Sequence, residues 1–249
     1  MVKKLFVIVL VSIIFCGSVS AESYFENENG VILTKPEYDF IVDLYNENYP
    51  SIITMDEYNV LKNDNIFGQE ITRVSSEDKV VNQSINLLNR YNLIHETTYK
   101  KLEMSSACGT TKCRVFVTLD WKKHPVARSY DLIGAQQVGS SALSDVVSHK
   151  YIGDTASSPV EYISNSTGAS ATYRLPNDNT SVDWSFDFAF SVAKQGRVTA
   201  TYQHATKNIT LANSRKFTFH YNGYGHVYMF DDSVRSTYDA MDGLEIVFN

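Results

Sequence analysis

The sharpest pattern in the chain is a strict alternation in its second half. In "SVDWSFDFAFSV", Val182, Trp184, Phe186, Phe188, Phe190 and Val192 fall on one side, and Asp183, Ser185, Asp187, Ala189 and Ser191 on the other. That period of two predicts a β-strand with one face on a core and one in solvent. "RVFVTLDW" repeats the device, with Val115, Val117, Leu119 and Trp121 set against Arg114, Phe116, Thr118 and Asp120. Gln195-Gly196 then leads into "RVTATYQHA", which predicts a hairpin running from Ser181 to Ala205. "RKFTFHY" and "HVYMF" around Asn222-Gly223-Tyr224-Gly225 predict another. "RSYDLIGAQQV", "VSHKYI", "VEYI", "SATYRL" and "LEIVF" raise the total to about nine or ten strands joined by Gly-, Ser- and Asn-rich turns. The expected fold is mainly β: a two-sheet antiparallel sandwich or jelly roll over residues 108–249.

The first half follows the helical period instead. In "LTKPEYDFIVDLY", Thr34 and Glu37 have capping-box spacing, Pro36 sits in the first turn, and Tyr38, Ile41, Leu44 and Tyr45 make one apolar stripe. "YPSIITMDEYNVL" repeats the box with Thr54 and Glu57, followed by Tyr58 and Leu61. Two short helices are expected, and at this length each must dock on something. The stripe is read as packing on the β domain, with docking of a partner or cell-wall polymer as the alternative. Residues 69–107 are polar and weakly patterned; "KVVNQSINLLNRYNLIHE" fits a helix or a strand, and His95 stands alone in it. Residues 22–107 therefore read as a segment distinct from 108–249.

Ahead of them, "MVKKLFVIVLVSIIFCGSVSAES" has two lysines, a short apolar run and Val19-Ser20-Ala21 in small-x-small spacing. It reads as a signal peptide spanning residues 1–21, cut after Ala21. The apolar run is too short for comfortable membrane anchoring, so a secreted, extracellular protein is expected. In that compartment Cys108 and Cys113 of "ACGTTKC" read as a disulfide. Zinc would need a second ligand pair and a redox motif would need C-x-x-C.

Charge divides unevenly. Residues 22–107 carry 15 acidic and 7 basic side chains, whereas residues 108–249 carry 13 of each. No basic stripe exists for nucleic acid or anionic lipid. No G-x-S-x-G, H-E-x-x-H or EF-hand pattern appears, so neither cofactor nor catalytic residue is assigned. Asp231-Asp232 reads as a solvated turn. The histidines lack ligand spacing, although His204, His220 and His226 lie on or beside neighbouring predicted strands and could converge on a metal.

The aromatic supply is more suggestive: the chain has 16 tyrosines, and they crowd "YQHA" and "HYNGYGHVY". Tyr202, His204, Tyr221, Tyr224 and His226 are the candidate ligand contacts, with rings to stack on a ligand and amides nearby for its hydroxyls. The alternative is that alternating rings fill the core.

"LTKPEYDFI", "YPSIITMDEY", "RSYDLIG", "YQHATKNITL" and "YGHVYMF…YDAMDGLEI" resemble segments of an uncharacterised family of secreted proteins from Gram-positive bacteria. That resemblance implies secretion and a bacterial origin, and it carries no functional residue with it. The expected function is a non-catalytic extracellular binding module for a cell-wall polymer, a glycan or a protein. The alternatives are a secreted hydrolase and, third, a membrane-active β-hairpin spanning Ser181 to Ala205.

Overall fold

A computed structural model describes residues 24–75, 99–138, 143–153, 155–177, 184–220, 227–239 and 242–248. The expected leader, His95, and the candidate contacts Tyr221, Tyr224 and His226 lie outside the described residues. The chain is mainly β, with several antiparallel sheets.

It begins with a small ribbon, β1 (Tyr24–Glu26) and β2 (Ile32–Thr34), followed by helices α1 (Lys35–Leu44), α2 (Tyr49–Ile52) and α3 (Met55–Asn63). Both expected capping boxes form, Thr34 with Glu37 and Thr54 with Glu57. They are also tied to other helices. The Tyr58 hydroxyl of α3 donates to Glu37 at 2.9 Å, and the Tyr49 hydroxyl of α2 donates to Glu57. Each cap carboxylate thus completes a helix start and a helix–helix contact at once.

Six strands form one large sheet, in the order β3 (Ile71–Ser75), β4 (Lys100–Cys108), β5 (Lys112–Trp121), β11 (Trp184–Ala193), β7 (Ser144–Ile152) and β8 (Thr155–Ser157). Five form another, in the order β15 (Asp242–Phe248), β12 (Gly196–Gln203), β6 (Tyr130–Val138), β10 (Ala169–Arg174) and β9 (Glu161–Ser164). One buried apolar cluster draws on both. Met104, Val115, Val117, Phe186, Phe188 and Phe190 come from the first sheet, and Ile133, Ala171, Val198, Ala200, Leu244 and Ile246 from the second. Among them, Val115, Val117, Phe186, Phe188 and Phe190 lie on the apolar side that alternation gave their strands.

The Ser181–Ala205 hairpin does not form. β11 pairs with β5 and β7, whereas β12 pairs with β6 and β15. The turn at Gln195-Gly196 carries the chain from one sheet to the other. Gly196 takes φ +76°, and the Gln137 amide clamps the turn by donating to the carbonyls of Ala193 and Gln195 at 2.8 Å. The apolar sides of the two strands both enter the shared core, so neither is presented to a membrane as a hairpin face.

A second correction concerns the other face of β5 and β11. It was expected in solvent, yet Asp187 is 1% exposed and Arg114 is fully buried. The helical segment lies over it: Ile41, Leu44, Tyr45, Tyr49, Ile53 and Leu61 form one apolar cluster with Ala107, Phe116 and Ala189. The helical stripe is therefore a packing face. The boundary expected at residue 107 falls inside β4, whose residues pair with β5 from Lys100 to Cys108.

Cys108 and Cys113 face each other at the β4–β5 tip and are joined as a disulfide. Gly109 is required there, because a Cβ would stand 1.7 Å from the Asp64 carbonyl oxygen just past α3. Between β12 and β15 lie α4 (Leu211–Ser214), β13 (Phe217–Phe219), β14 (Tyr228–Phe230) and α5 (Asp232–Arg235). β13 and β14 pair antiparallel, as expected from their sequences. Their rings cluster with Leu132 of β6, Val234 and Tyr238. No helix among the described residues is long and apolar enough to cross a membrane.

Candidate functional site

Two of the predicted contacts, Tyr202 and His204, are brought together, but inside the molecule. The Tyr202 ring, a candidate contact with core filling as the alternative, is fully buried; His204 is 8% exposed. Both converge on Asp131 of β6, itself fully buried. The Tyr202 hydroxyl donates to Asp131 Oδ2, and His204 Nδ1 lies 3.0 Å from each carboxylate oxygen. The Ala205 amide donates to Oδ1 at 2.9 Å, and Trp121 Nε1 donates to the Tyr202 hydroxyl at 3.2 Å. Burial, and then the Asp131 charge, hold the Tyr202 phenol well above its ordinary pKa, so it stays a donor. Beside it the buried Lys100 ammonium pairs with Asp239 at 2.6 Å and lies over the Trp121 and Tyr202 rings. This cluster ties β4, β5, β6 and β12 to the C-terminal segment. An aspartate holding Nδ1 can orient an imidazole as a base; here the His204 ring packs edge-on against the Trp121 indole, with centroids 5.0 Å apart.

A second buried network docks the helices on the six-stranded sheet. Arg114 Nε donates to the Tyr45 hydroxyl at 3.0 Å, and its Nη1 donates to the Asp145 carbonyl at 2.6 Å. Arg114 Nη2 stands 3.8 Å from Glu57 Oε1, an ion-pair distance without a formed hydrogen bond. Asp187 accepts from the Tyr151 hydroxyl at 2.8 Å and from the His149 backbone at 2.5 Å. His149 Nδ1 lies 3.3 Å from Asp187 Oδ1. Desolvation lowers the His149 pKa, but the hydrogen bond and charge of Asp187 outweigh it and the net shift is upward. Burial raises Asp187 against the opposing pull of His149 and Tyr151.

Where this helical layer ends, the sheet surface opens into a cleft of about 220 Å³. It is lined by Tyr45, Arg73, Glu103, Ser105, Phe116 and Thr118. The β4–β5 register explains the grouping, since Glu103 faces Thr118 and Ser105 faces Phe116 across adjacent strands. Arg73 arrives from β3 and pairs with Asp43 of α1 at 3.0 Å, with Nε 4.0 Å from Glu103. Both partners of the Arg73–Asp43 pair are more than a third exposed, so water screens it and a ligand can compete for the guanidinium. The cleft offers a cation, a carboxylate and the Thr118 hydroxyl beside two rings, while the Ser105 hydroxyl is already committed to the Leu44 carbonyl. Sequence reading missed it, because Arg73, Glu103 and Ser105 lie in the weakly patterned stretch. Their only signal was polarity, which a solvated loop shares.

Among the described residues no group of three His, Cys, Asp or Glu side chains is placed to hold a metal ion.

No protein-family model and no curated protein matches the chain. Solved structures similar to it come from streptococcal surface proteins. One, from a study of pH-induced modulation of Streptococcus parasanguinis adhesion by Fap1 fimbriae, has 12% identity and TM-score 0.36, covering 72% of this chain and 96% of that one. The pilus backbone RrgB of Streptococcus pneumoniae has 9% identity and TM-score 0.31, covering 38% and 25%. The KRT10-binding region domain of the pneumococcal serine-rich repeat protein PsrP has 9% identity and TM-score 0.26, covering 54% and 85%. These likenesses are too distant for any residue's role to be carried across.

Proposed function

We propose that the protein is a non-catalytic extracellular binding module: a β-sandwich whose contact surface includes the cleft beside the helical layer. Its partner is a cell-wall polymer, a glycan or another protein. The observation that supports this reading is the cleft itself, where Arg73, Glu103 and Thr118 come from neighbouring paired strands and share a lining with Phe116 and Tyr45. Polar groups fixed on a sheet lose little freedom on binding, which favours recognition. Tyr221, Tyr224 and His226 remain proposed contacts in the segment joining β13 to β14. Tyr202 does not, because its ring is closed off from any ligand.

The experiment is binding of the secreted chain to purified cell wall, glycan arrays and extracellular proteins, repeated with Arg73→Ala and Glu103→Ala. Each variant should keep the thermal midpoint and weaken binding roughly tenfold, the effect of losing about 1.4 kcal/mol. Unchanged binding in both variants would remove the cleft from the contact surface. A hydrolase reading draws on the Asp131–His204 pair. It would replace the binding reading if the protein cleaved a glycan, peptide or ester and His204→Ala abolished that cleavage.

A further inference from the structure

The outer face of the five-stranded sheet is polar, buried and poorly matched to its cover. With Ile133, Ala135, Val198, Ala200 and Ala171 turned to the core, the opposite face carries two cross-strand rows. Thr201 stands opposite Gly134, and Gly134 opposite Ser170. Thr199 stands opposite Gln136. All four polar residues are at least nine-tenths buried. Among the described residues the Thr199 and Ser170 hydroxyls and Gln136 Oε1 have no hydrogen-bond partner, and Thr201 meets the Tyr228 hydroxyl short of a well-formed bond.

What lies above them is aromatic. In the β13–β14 ribbon Phe217 pairs with Phe230 and Phe219 with Tyr228, so four rings share one face while Met229 points outward, 49% exposed. A Cβ on Gly134 would sit 1.9 Å from the Tyr228 hydroxyl, and one on Gly168 would sit 2.7 Å from the Phe219 ring. The ribbon is thus pressed onto the glycines, and only its Tyr228 hydroxyl can reach toward the row, since its phenylalanine rings offer no hydrogen-bonding group. Buried polar side chains nearly always have a partner, and an orphaned row calls for one. Three-residue strands make a marginal ribbon, which its rings and their contacts must hold in place. Beyond Thr199 the sheet face opens: Arg197 is partly exposed and Val247, opposite it on β15, is 55% exposed.

We propose that this face is a binding site for a neutral polyhydroxylated ligand, a sugar unit. Its hydroxyls pair with Thr199, Thr201, Ser170 and Gln136, and its C–H face stacks on the Phe219 and Tyr228 rings. The two requirements of sugar recognition, fixed hydroxyl or amide partners and an adjacent ring, meet here on one surface. Entry is from the Arg197–Val247 side and displaces the ribbon's rings from the sheet. The site rests on the binding-module reading but is separate from the cleft.

The test uses the full secreted chain with chitotetraose, maltotetraose and lactose, followed by ligand-observed NMR and thermal shift. Wild type should bind at least one of the three and gain thermal stability with its concentration. Thr199→Val with Thr201→Val should weaken that binding at least tenfold, leaving the unliganded midpoint equal or higher because an unsatisfied hydroxyl has been replaced by a methyl. Ser170→Ala, on the neighbouring strand, should weaken it independently, whereas Arg73→Ala should not. Binding of none of the three sugars, or equal binding by the valine and alanine variants, overturns the site and leaves ordered water as the partner of these groups. If such a protein still binds cells or proteins through Arg73, the binding-module reading stands without this site; if it binds nothing at all, both fall.

Discussion

Tyr202 shows how one side chain's role turns on where its oxygen goes. Its ring is fully buried between Trp121 and Phe186, and its hydroxyl is one of three groups converging on the Asp131 carboxylate. Tyr202→Phe keeps the ring but removes a donor from a buried carboxylate, so it should cost about 1–3 kcal/mol. Tyr202→Ala also opens a cavity and should cost about 3–5 kcal/mol. Chemical denaturation of both variants checks the order, and a Tyr202→Ala protein as stable as wild type would place the ring outside the core after all. Many tyrosines follow the same rule: those at 49, 58, 151 and 202 each donate to a carboxylate on another element. Their abundance was visible in the sequence and suggested a contact surface. The acids that bury them were not visible, because each lies 8 to 71 positions away. The cysteines were easier, since spacing and compartment sufficed. Cys113→Ser opens a loop closed by only a few residues and should cost roughly 2 kcal/mol without unfolding the chain, as a urea titration of the oxidised wild type and the variant would show.

At the scale of elements, the capping boxes and the strict alternations were legible because both are local. A Thr–Glu pair three residues apart carries its own chemistry, and period-two apolarity marks one buried face whatever lies across from it. Strand β4 was missed because its apolar alternation is confined to Leu102 and Met104, interrupted by lysines and by Ser105-Ser106. Those serines are buried, and Ser105 donates to the Leu44 carbonyl at 2.5 Å, a contact that exists only once α1 has docked. The docking itself should respond to pH. The folded pKa values of His149 and Asp187 are both raised, so the native state holds more protons than the unfolded chain, and stability falls as pH rises. The His149 contribution is fully present below its ordinary 6.5 and is lost as pH climbs through its higher folded value. The midpoint gap between wild type and His149→Gln should therefore be widest near pH 5.5 and close by about pH 9. A gap that does not vary with pH would remove the His149–Asp187 pair as its cause.

For the whole molecule, the decisive fact is that the front and back of the chain share a sheet. A fragment of residues 108–249 would lack β3 and β4, losing Leu102 and Met104 from the common core and baring Arg114, Phe116, Asp187 and Ala189. We expect it to be insoluble or molten, with no cooperative transition by calorimetry and no near-ultraviolet dichroism. A sharp β-type transition from the fragment alone would restore the division at residue 107. By itself the sequence determined the mainly β character, the core-facing residues of β5 and β11, the two capped helix starts and the cysteine staple. Each depends on spacing within one element or one turn. Only the tertiary structure decided which sheet each strand joins, that both outer faces are covered in part, and that Arg114, Asp131 and Asp187 are buried rather than solvated. Alternation says that one side of a strand is apolar and leaves open what covers the other side. A buried charge is tolerable only when its partners are in place. Those partners, such as Glu57 beside Arg114 and His204 beside Asp131, come from distant parts of the chain and meet only after it has folded.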